Sequence, residues 1–253
     1  MSNILILIPS RLHAVRLPNK PLLEINKLPL IFHVYNLALK IQDKNIFVVT
    51  GDKKIFNKIK YFGGNCILTK KNHKNGTERI FEGFKNLKKN KIDYILNLQG
   101  DEPILNISEV KKFLKNVIRG KFEMGTMACK INKERDLKNK NLVKVETFEK
   151  IGRKNSSYAK NFFRDTNNQT KNIYHHIGIY IYKVRALKKY IKKRQSKIEK
   201  KLKLEQLRAL ENGIRIRVFY SNHKPIGVDT LEDFKKVKKL MEKKKIIQYK
   251  NFI

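Results

Sequence analysis

The chain has 253 residues, 41% of them hydrophobic, enough for one main α/β domain with a substantial core. Its 58 Lys and Arg against 22 Asp and Glu give a formal charge of +36, but the lysines are spread over every predicted helix and loop, often beside Asn and Ile. That spread argues for a solvated lysine coat rather than one nucleic-acid-binding face, no aromatic-basic ladder of the kind that stacks bases is visible, and no apolar run approaches the ~18 residues of a membrane span.

The opening run Ile4 to Ile8 is apolar without alternation, which predicts a strand covered on both faces of a parallel sheet and ended by Pro9. No charged n-region or small-residue cleavage site precedes it, so no secretory signal is expected and a soluble cytoplasmic protein follows. Arg11, Arg16 and Lys20 come next, with Pro18 and Pro21 preventing a regular helix around them. Three cations at the C-terminal end of a first parallel strand suit a polyphosphate, because open α/β sheets bind ligands at that edge. The bland alternative is a lysine-rich protein with cations in every loop.

Pro29 to Ile41 carries apolar residues at helical spacing, Asn45 to Thr50 reads as a buried strand, and Asp52 to Phe62 as a helix stopped by Gly63 and Gly64. Cys66 to Thr69 is a further short strand. Cys66 and Cys129 lack any metal or redox spacing and read as reduced core thiols. The strand, helix, strand alternation with short connections predicts a parallel sheet with helices on its faces. Asn75 and Gly76 then make a turn, and Thr77 is the expected N-cap of a helix reaching about Lys89. Arg79 falls in its first turn, where a cation opposes the helix dipole; it is either tolerated at the surface or positioned for an anion.

Tyr94 to Leu98 reads as a strand running into Gln99-Gly100-Asp101-Glu102-Pro103. Asp101, between glycine and proline at a strand end, is a candidate Mg²⁺ ligand, because that ion needs only one or two carboxylates when phosphates and water complete its shell. An ordinary turn aspartate is the alternative. Ser108 is the expected cap of a helix ending near Gly120. Met124 to Val145 reads as strands around a polar loop, and Thr147 to Thr170 as mobile or oligomer-contacting loops. Tyr174 to Lys183 is a strand with His176 and Tyr180 on one face, lining a pocket or held in the core. Leu202 to Asn212, with Glu205, Gln206 and Arg208, is expected to be one short helix ended by Gly213, and Ile214 to Tyr220 the last strand. Asp229 precedes Thr230, which caps a final helix with Asp233 at the capping-box position.

Taken in order, IPSR, RLPNKPL, NGTERI, NLQGDEP, HHIGIYIY, LEQLRAL and GVDTLED resemble the family of 3-deoxy-manno-octulosonate (KDO) cytidylyltransferases, over nearly the whole chain. The resemblance implies a Rossmann-like nucleotidyltransferase fold, mostly parallel, with helices on both faces. It implies one domain over 1–253, in which about 124–183 contributes strands and dimerisation loops. It further implies a cytoplasmic homodimer that joins CTP and KDO into CMP-KDO and pyrophosphate with Mg²⁺, for lipopolysaccharide synthesis, without membrane or specific nucleic-acid partners. Arg11, Arg16 and Lys20 would hold the triphosphate, and Asp101 and Asp229 the metal; Lys20, Arg11, Asp101 and Asp229 carry the catalysis. Asn75 and Gly76 match positions that contact the cytosine by backbone. Arg79, Gln99, His176, Tyr180, Glu205 and Gln206 match positions lining the acid-sugar site, with Arg79 meeting the carboxylate. Alternatives are a cytidylyltransferase for 8-amino-KDO or neuraminic acid, or a basic nucleic-acid-binding protein on a degenerate enzyme scaffold.

The chain departs from the family pattern in two places. Val15 and Asn19 stand where the family has a hydroxyl residue and a glycine. The family's Ser-Arg-x-x-Ile-Pro segment is absent around Ser156 to Asp165, leaving Arg164 as the replacement cation.

Overall fold

The apolar run at the start becomes strand β1, Ile4–Ser10, in which Leu5 to Ile8 are wholly buried. The strand continues through Pro9 instead of stopping there, because Pro9 stays in register with Val49 at the end of the ladder. The computed structural model describes residues 3–13, 16–88, 91–165 and 171–248, with 244–248 by main chain alone. Val15 and Lys89 lie outside the described residues. After β1 come a 3₁₀ turn at Lys20–Leu22, β2 (Glu24–Ile25), β3 (Leu28–Pro29), α1 (Leu30–Ile41), β4 (Ile46–Thr50), α2 (Lys53–Tyr61), β5 (Cys66–Leu68) and α3 (Gly76–Asn86). They are followed by β6 (Tyr94–Asn97), α4 (Ile107–Arg119), β7 (Met124–Cys129), α5 (Glu134–Lys138), β8 (Lys144–Thr147) and β9 (Ser157–Phe163). The chain closes with β10 (Ile173–Lys183), α6 (Val184–Ile191), α7 (Lys197–Leu202), α8 (Gln206–Glu211), β11 (Ile216–Ser221) and α9 (Leu231–Gln248).

Contacts group these elements into two compact units. Of the described residues, one comprises 3–5, 87–88, 91–97, 108–165 and 171–224; the other comprises 6–13, 16–86, 98–107 and 225–248. The second unit holds the parallel strands β1, β4 and β5, with β4 between the others, as the strand, helix, strand pattern predicted. Helix α2 ends where Gly63 takes φ 75°; Gly63 N–H donates to Lys60 O and Gly64 N–H to Ile59 O, both at 2.9 Å. That paired closure needs a left-handed residue, which glycine supplies without a Cβ clash.

The first unit is mixed rather than parallel. Its long strand β10 runs antiparallel to β6, β7 and β8, while β11 is parallel to β7 and antiparallel to β9. An eleven-residue strand can pair with several partners along its length, and β10 shifts register between Ile177 and Tyr180 to do so. A polar composition concealed β9: the segment read as loops contains this seven-residue strand, paired to β8 and β11.

Three helix boundaries also differ from the sequence reading. Asn75, not Thr77, caps α3, its side chain accepting from Glu78 N–H at 2.8 Å. Ser108 lies inside α4, which begins one residue earlier. The helix expected over Leu202 to Asn212 is shortened to α8, Gln206–Glu211, because Leu202 ends the preceding α7 and Lys203 leaves the helix at φ 53°, ψ 47°.

Candidate active site

The basic loop after β1 folds back on itself, with Asn19 N–H donating to Leu12 O at 3.3 Å and Leu22 N–H to Asn19 O at 2.8 Å. The turn depends on Asn19 at φ 55°, ψ 17°. Asparagine is among the few residues with a side chain that visit this region readily, so it can stand where the family pattern has glycine. Asp52, at the N-cap of α2, turns its carboxylate away from the helix and accepts from Leu12 N–H at 3.0 Å. This fixes the loop entry to β4 and α2, a link with no local signal in the sequence.

Beneath the loop, Leu17, Ile25, Leu30, Val228 and Val237 form a buried cluster, with Leu23, Ile104, Ile226, Phe234 and Met241 packed against it. These residues come from three stretches: the basic loop with β2 and the first residue of α1, the turn after the QGDEP segment, and α9 with the segment leading into it. Burying their apolar surfaces together draws the three segments to one place. Two main-chain links complete the join: Val228 N–H donates to Asp101 O at 2.9 Å, and Ile104 pairs with Ile226 in an antiparallel bridge. At the start of α9, Asp233 Oδ2 accepts from Thr230 N–H at 3.0 Å, and Asp233 N–H donates back to Thr230 Oγ1 at 3.1 Å, the reciprocal cap foreseen from the sequence.

The convergence brings Lys20, Asp101, Asp229 and Arg16 together. Lys20 Nζ donates to Asp101 Oδ2 at 2.6 Å, to the Val228 carbonyl at 2.6 Å and to Asp229 Oδ1 at 3.3 Å. Arg16 reaches the other oxygen of Asp229 at 3.1 Å. Burial works to lower the Lys20 pKa, but the charge and hydrogen bond of Asp101, then those of Asp229, outweigh it and raise the pKa above its ordinary value. Lys20 is therefore a fixed cation at neutral pH. Arg11 is exposed, and its charge acts on Arg79.

The two aspartates supply hard oxygen donors around one cation, a set that suits Mg²⁺ when phosphate oxygens complete the shell. No group of three or more His, Cys, Asp and Glu able to hold a metal occurs among the described residues. A fuller protein cage for a softer metal is thus absent from them.

Asn75 and Gly76 sit at the start of α3, and a Cβ added to Gly76 would meet Pro9 Cγ at 3.3 Å, so this turn packs directly on the strand that leads into the basic loop. Arg79 is neither at the surface nor open to solvent; it is 4% exposed. Its guanidinium donates from NH1 to Thr69 Oγ1 at 2.8 Å and Lys70 O at 3.1 Å, and from NH2 to Lys71 O at 3.0 Å. Burial pulls its pKa down despite the neighbouring Asp52 charge. These contacts tie Arg79 to the loop before α3. Gln99 is half-buried in the turn after β6, where its carbonyl accepts from Glu102 N–H at 3.3 Å.

The remaining expected residues belong to the first unit. The rings of His176 and Tyr180 lie 5.2 Å apart, and both residues are buried. His176 Nε2 is 3.0 Å from Thr126 Oγ1, which itself donates to the Ile179 carbonyl at 2.8 Å. Desolvation, with a smaller contribution from His175, pushes the His176 pKa down to about 3, so its imidazole is neutral at physiological pH. Glu205 stands at the N-cap of α8 and Gln206 is its first, buried, residue. Their turn is secured by Tyr190 Oη on the Glu205 carbonyl at 3.1 Å, and by a buried pair in which Arg208 NH2 meets Glu199 Oε1 at 2.7 Å. Arg164 donates to the carbonyls of Leu202 at 3.2 Å and of Lys140 and Asn141 at 3.4 Å.

Comparison with known proteins gives a consistent result. The profile of the family described as Cytidylyltransferase matches residues 5–216. A protein of Francisella tularensis subsp. tularensis named 3-deoxy-manno-octulosonate cytidylyltransferase is 37% identical over 248 residues, covering 95% of this chain and 99% of that protein. One of the same name from Thermodesulfovibrio yellowstonii is 36% identical over 249 residues, covering 92% and 96%. The solved structure of CMP:2-keto-3-deoxy-manno-octonic acid synthetase complexed with CTP superposes with a TM-score of 0.84 at 32% identity, over 96% of this chain and all of the other.

Proposed function

Because the chain belongs to the cytidylyltransferase family, we propose that it transfers the cytidylyl group of CTP to the anomeric hydroxyl of KDO, giving CMP-KDO and pyrophosphate. The observation that carries this reading is the meeting of Lys20 and Arg16 with Asp101 and Asp229 at one point. Interleaved cations and carboxylates suit a triphosphate accompanied by a hard metal ion. Nucleotidyl transfer relies on such positioning and charge neutralisation more than on covalent participation by the protein.

In the reaction the anomeric oxygen bonds to the α-phosphorus while the bond to the bridging oxygen of the β-phosphate breaks. Pyrophosphate leaves with that electron pair, and the hydroxyl proton passes to solvent. Arg11, Arg16 and Lys20 neutralise the triphosphate and hold it in line, and the charge of Lys20 persists through the neutral range. Asp101 and Asp229 would hold Mg²⁺, which neutralises charge and polarises oxygen as a Lewis acid. Asn75 and Gly76 would meet the cytosine. Gln99, His176, Tyr180, Glu205 and Gln206 would line the acid-sugar site, His176 contributing a neutral ring and not a positive charge. By the same resemblance, the reading extends to a homodimer acting in the cytoplasm and supplying an activated sugar for lipopolysaccharide. No helix among the described residues is long and apolar enough to cross a membrane.

The test is pyrophosphate release from CTP and Mg²⁺ with a panel of acid sugars. Turnover with KDO well above that with 8-amino-KDO and neuraminic acid is expected. Preference for another acid sugar would move the substrate assignment within the same chemistry, and no release with any of them would overturn the reading.

A further inference from the structure

Arginine is scarce in this chain: 12 of its 58 cationic residues are Arg and the rest are Lys. Two adjoining hollows in the first unit break that proportion. The larger, of about 560 Å³, is lined by Lys112, Arg119, Arg153 and Lys154, and the smaller, of about 270 Å³, by Lys121, Arg185 and Arg215, with Gly120 and Phe122 common to both. Four of these seven lining cations are arginines. A compositional preference for lysine coats a surface with Lys and does not gather Arg in one place. Arg217 adds a fifth, its guanidinium stacked 5.2 Å from the Phe122 ring and 4.7 Å from that of Tyr158. What arginine offers over lysine is a planar fork that holds an oxyanion by paired hydrogen bonds.

The larger hollow sets its cationic rim over an apolar floor of Phe113, Met127 and Phe219, all buried. Hollows of roughly 300–1,000 Å³ enclose small organic ligands. The charge of the rim is not cancelled from within. Among the described residues lining it, Glu109 is the one carboxylate, and it is taken up by the Ser221 hydroxyl, by Asn222 N–H and Nδ2 at 3.0 Å each, and by His223 Nδ1 at 3.1 Å. Arg153 is aimed by Asn222, whose Oδ1 accepts from its Nε at 2.8 Å, leaving the two outer nitrogens without a partner among the described residues. Arg119 ends α4, where a cation often serves the last carbonyls. Those of Asn116, Val117 and Ile118 are already occupied, accepting from the N–H groups of Gly120, Phe122 and Lys121 at 3.0, 3.2 and 3.0 Å. The helix end therefore does not account for the Arg119 guanidinium.

This hollow is also distinct from the residues expected at the acid sugar. Successive side chains of β7 point to opposite faces of the sheet. Thr126 meets His176 on one face. Gly125 and Met127 look the other way, toward α4, and a Cβ added to Gly125 would lie 2.7 Å from Val117 Cγ2. We propose that the larger hollow is a second ligand site, which takes a small organic anion: a phosphate or sulfonate carried on an apolar ring. Arg119 and Arg153 hold the oxyanion, and the ring lies on the floor of Phe113, Met127 and Phe219. The floor disfavours a bare inorganic anion, and the unpaired cations disfavour a neutral ring. None of this depends on the chemistry proposed at Lys20.

The experiment titrates anilinonaphthalene sulfonate, an aromatic anion that fluoresces in apolar sites, into the full chain, and in parallel anilinonaphthalene, the same rings without the sulfonate. Saturating CTP and Mg²⁺ are present throughout to keep the probe from the nucleotide site. Arg119→Glu and Arg153→Glu should each weaken the sulfonate about 10-fold, the worth of one charge-assisted hydrogen bond, and leave the neutral probe unchanged. Arg119→Gln and Arg153→Gln should lie between, and they decide the matter if a Glu variant does not fold. Lys115→Glu changes the net charge equally from an exposed position of α4 outside the hollow, and screening should hold its effect within about twofold. Phenyl phosphate should displace the sulfonate and phenol should not. Unchanged affinity in the folded arginine variants would overturn the proposal. Equal weakening by Lys115→Glu would do so too, since the probe would then be reading the general positive charge. Displacement by phosphatidylglycerol vesicles but not by phenyl phosphate would make this face a membrane contact, and a changed oligomeric state of Arg119→Glu in sedimentation would make it a contact between copies; either result also overturns the proposal.

Discussion

Lys20 and Asp101 are joined by a 2.6 Å contact from ammonium to carboxylate, made between a loop near the start of the chain and a turn 81 residues later. The same nitrogen reaches Asp229, so one cation balances both candidate metal ligands. In the absence of substrate this keeps two carboxylates together that would otherwise repel each other.

Lys20→Ala is expected to lower turnover by about 10²- to 10³-fold, the usual effect of removing one electrostatic stabiliser of a transition state. Its melting temperature should also fall, because Asp101 and the Val228 carbonyl lose a shared donor. Arg11→Ala should lose turnover comparably while melting like the wild type, since Arg11 is exposed. Parallel kinetic assays and thermal melts check both, and near-normal turnover in either variant would remove that residue from the triphosphate site.

Asp229→Asn is expected to abolish activity at low Mg²⁺ and to regain part of it as Mg²⁺ rises, while CTP affinity suffers less than in Lys20→Ala. The reasoning is that the variant weakens a metal ligand yet leaves the phosphate-binding cations in place. A titration of rate against Mg²⁺ reads this directly, and identical Mg²⁺ dependence in variant and wild type would contradict it.

Asn19→Gly should retain activity and Asn19→Val should not. A β-branched residue cannot hold φ 55° without strain, at a cost on the order of 1–3 kcal/mol, and the strained turn would carry Lys20 out of reach of both aspartates. Thermal stability and turnover of the pair, measured side by side, provide the check.

Stability should decline in acid through His176. Its pKa in the fold is depressed to about 3 against an ordinary 6.5, so between those values the unfolded chain takes up a proton that the folded chain refuses. The neutral ring's contribution is complete above about pH 6.5 and is lost progressively as pH falls toward 3, on the order of a few kcal/mol in total. Denaturant midpoints across that window should fall for the wild type and fall less steeply for His176→Gln. Equal slopes would show that the ring titrates normally in the fold.

Periodicity and local chemistry made much of this legible from the chain alone. The uninterrupted apolar run of β1, the helical spacing of α1, the glycine after α2 and the Thr230 to Asp233 capping box each depend on neighbours within a few residues. They therefore appear as short patterns in the sequence. The order of motifs also pointed to the family, and with it to Lys20, Asp101 and Asp229 as partners.

Other features depended on contacts that no local pattern encodes. Strand β9 mixes Ser157, Lys160 and Asn161 with Tyr158, Ala159, Phe162 and Phe163 without a clean alternation, and its place is decided by β8 and β11 on either side. The break between α7 and α8 lies at a lysine whose left-handed backbone has no warning in its own identity. Asp52 carries an ordinary helix-start signal, yet its carboxylate serves the basic loop. Arg79 is the sharpest case: no local pattern told that its guanidinium would donate to the carbonyls of Lys70 and Lys71, contacts that exist only because the fold brings that loop against α3. A sequence determines which groups carry charge and which surfaces must be buried; which charge meets which acceptor is decided when apolar burial brings distant segments together, because hydrogen bonds act only over the last few ångströms.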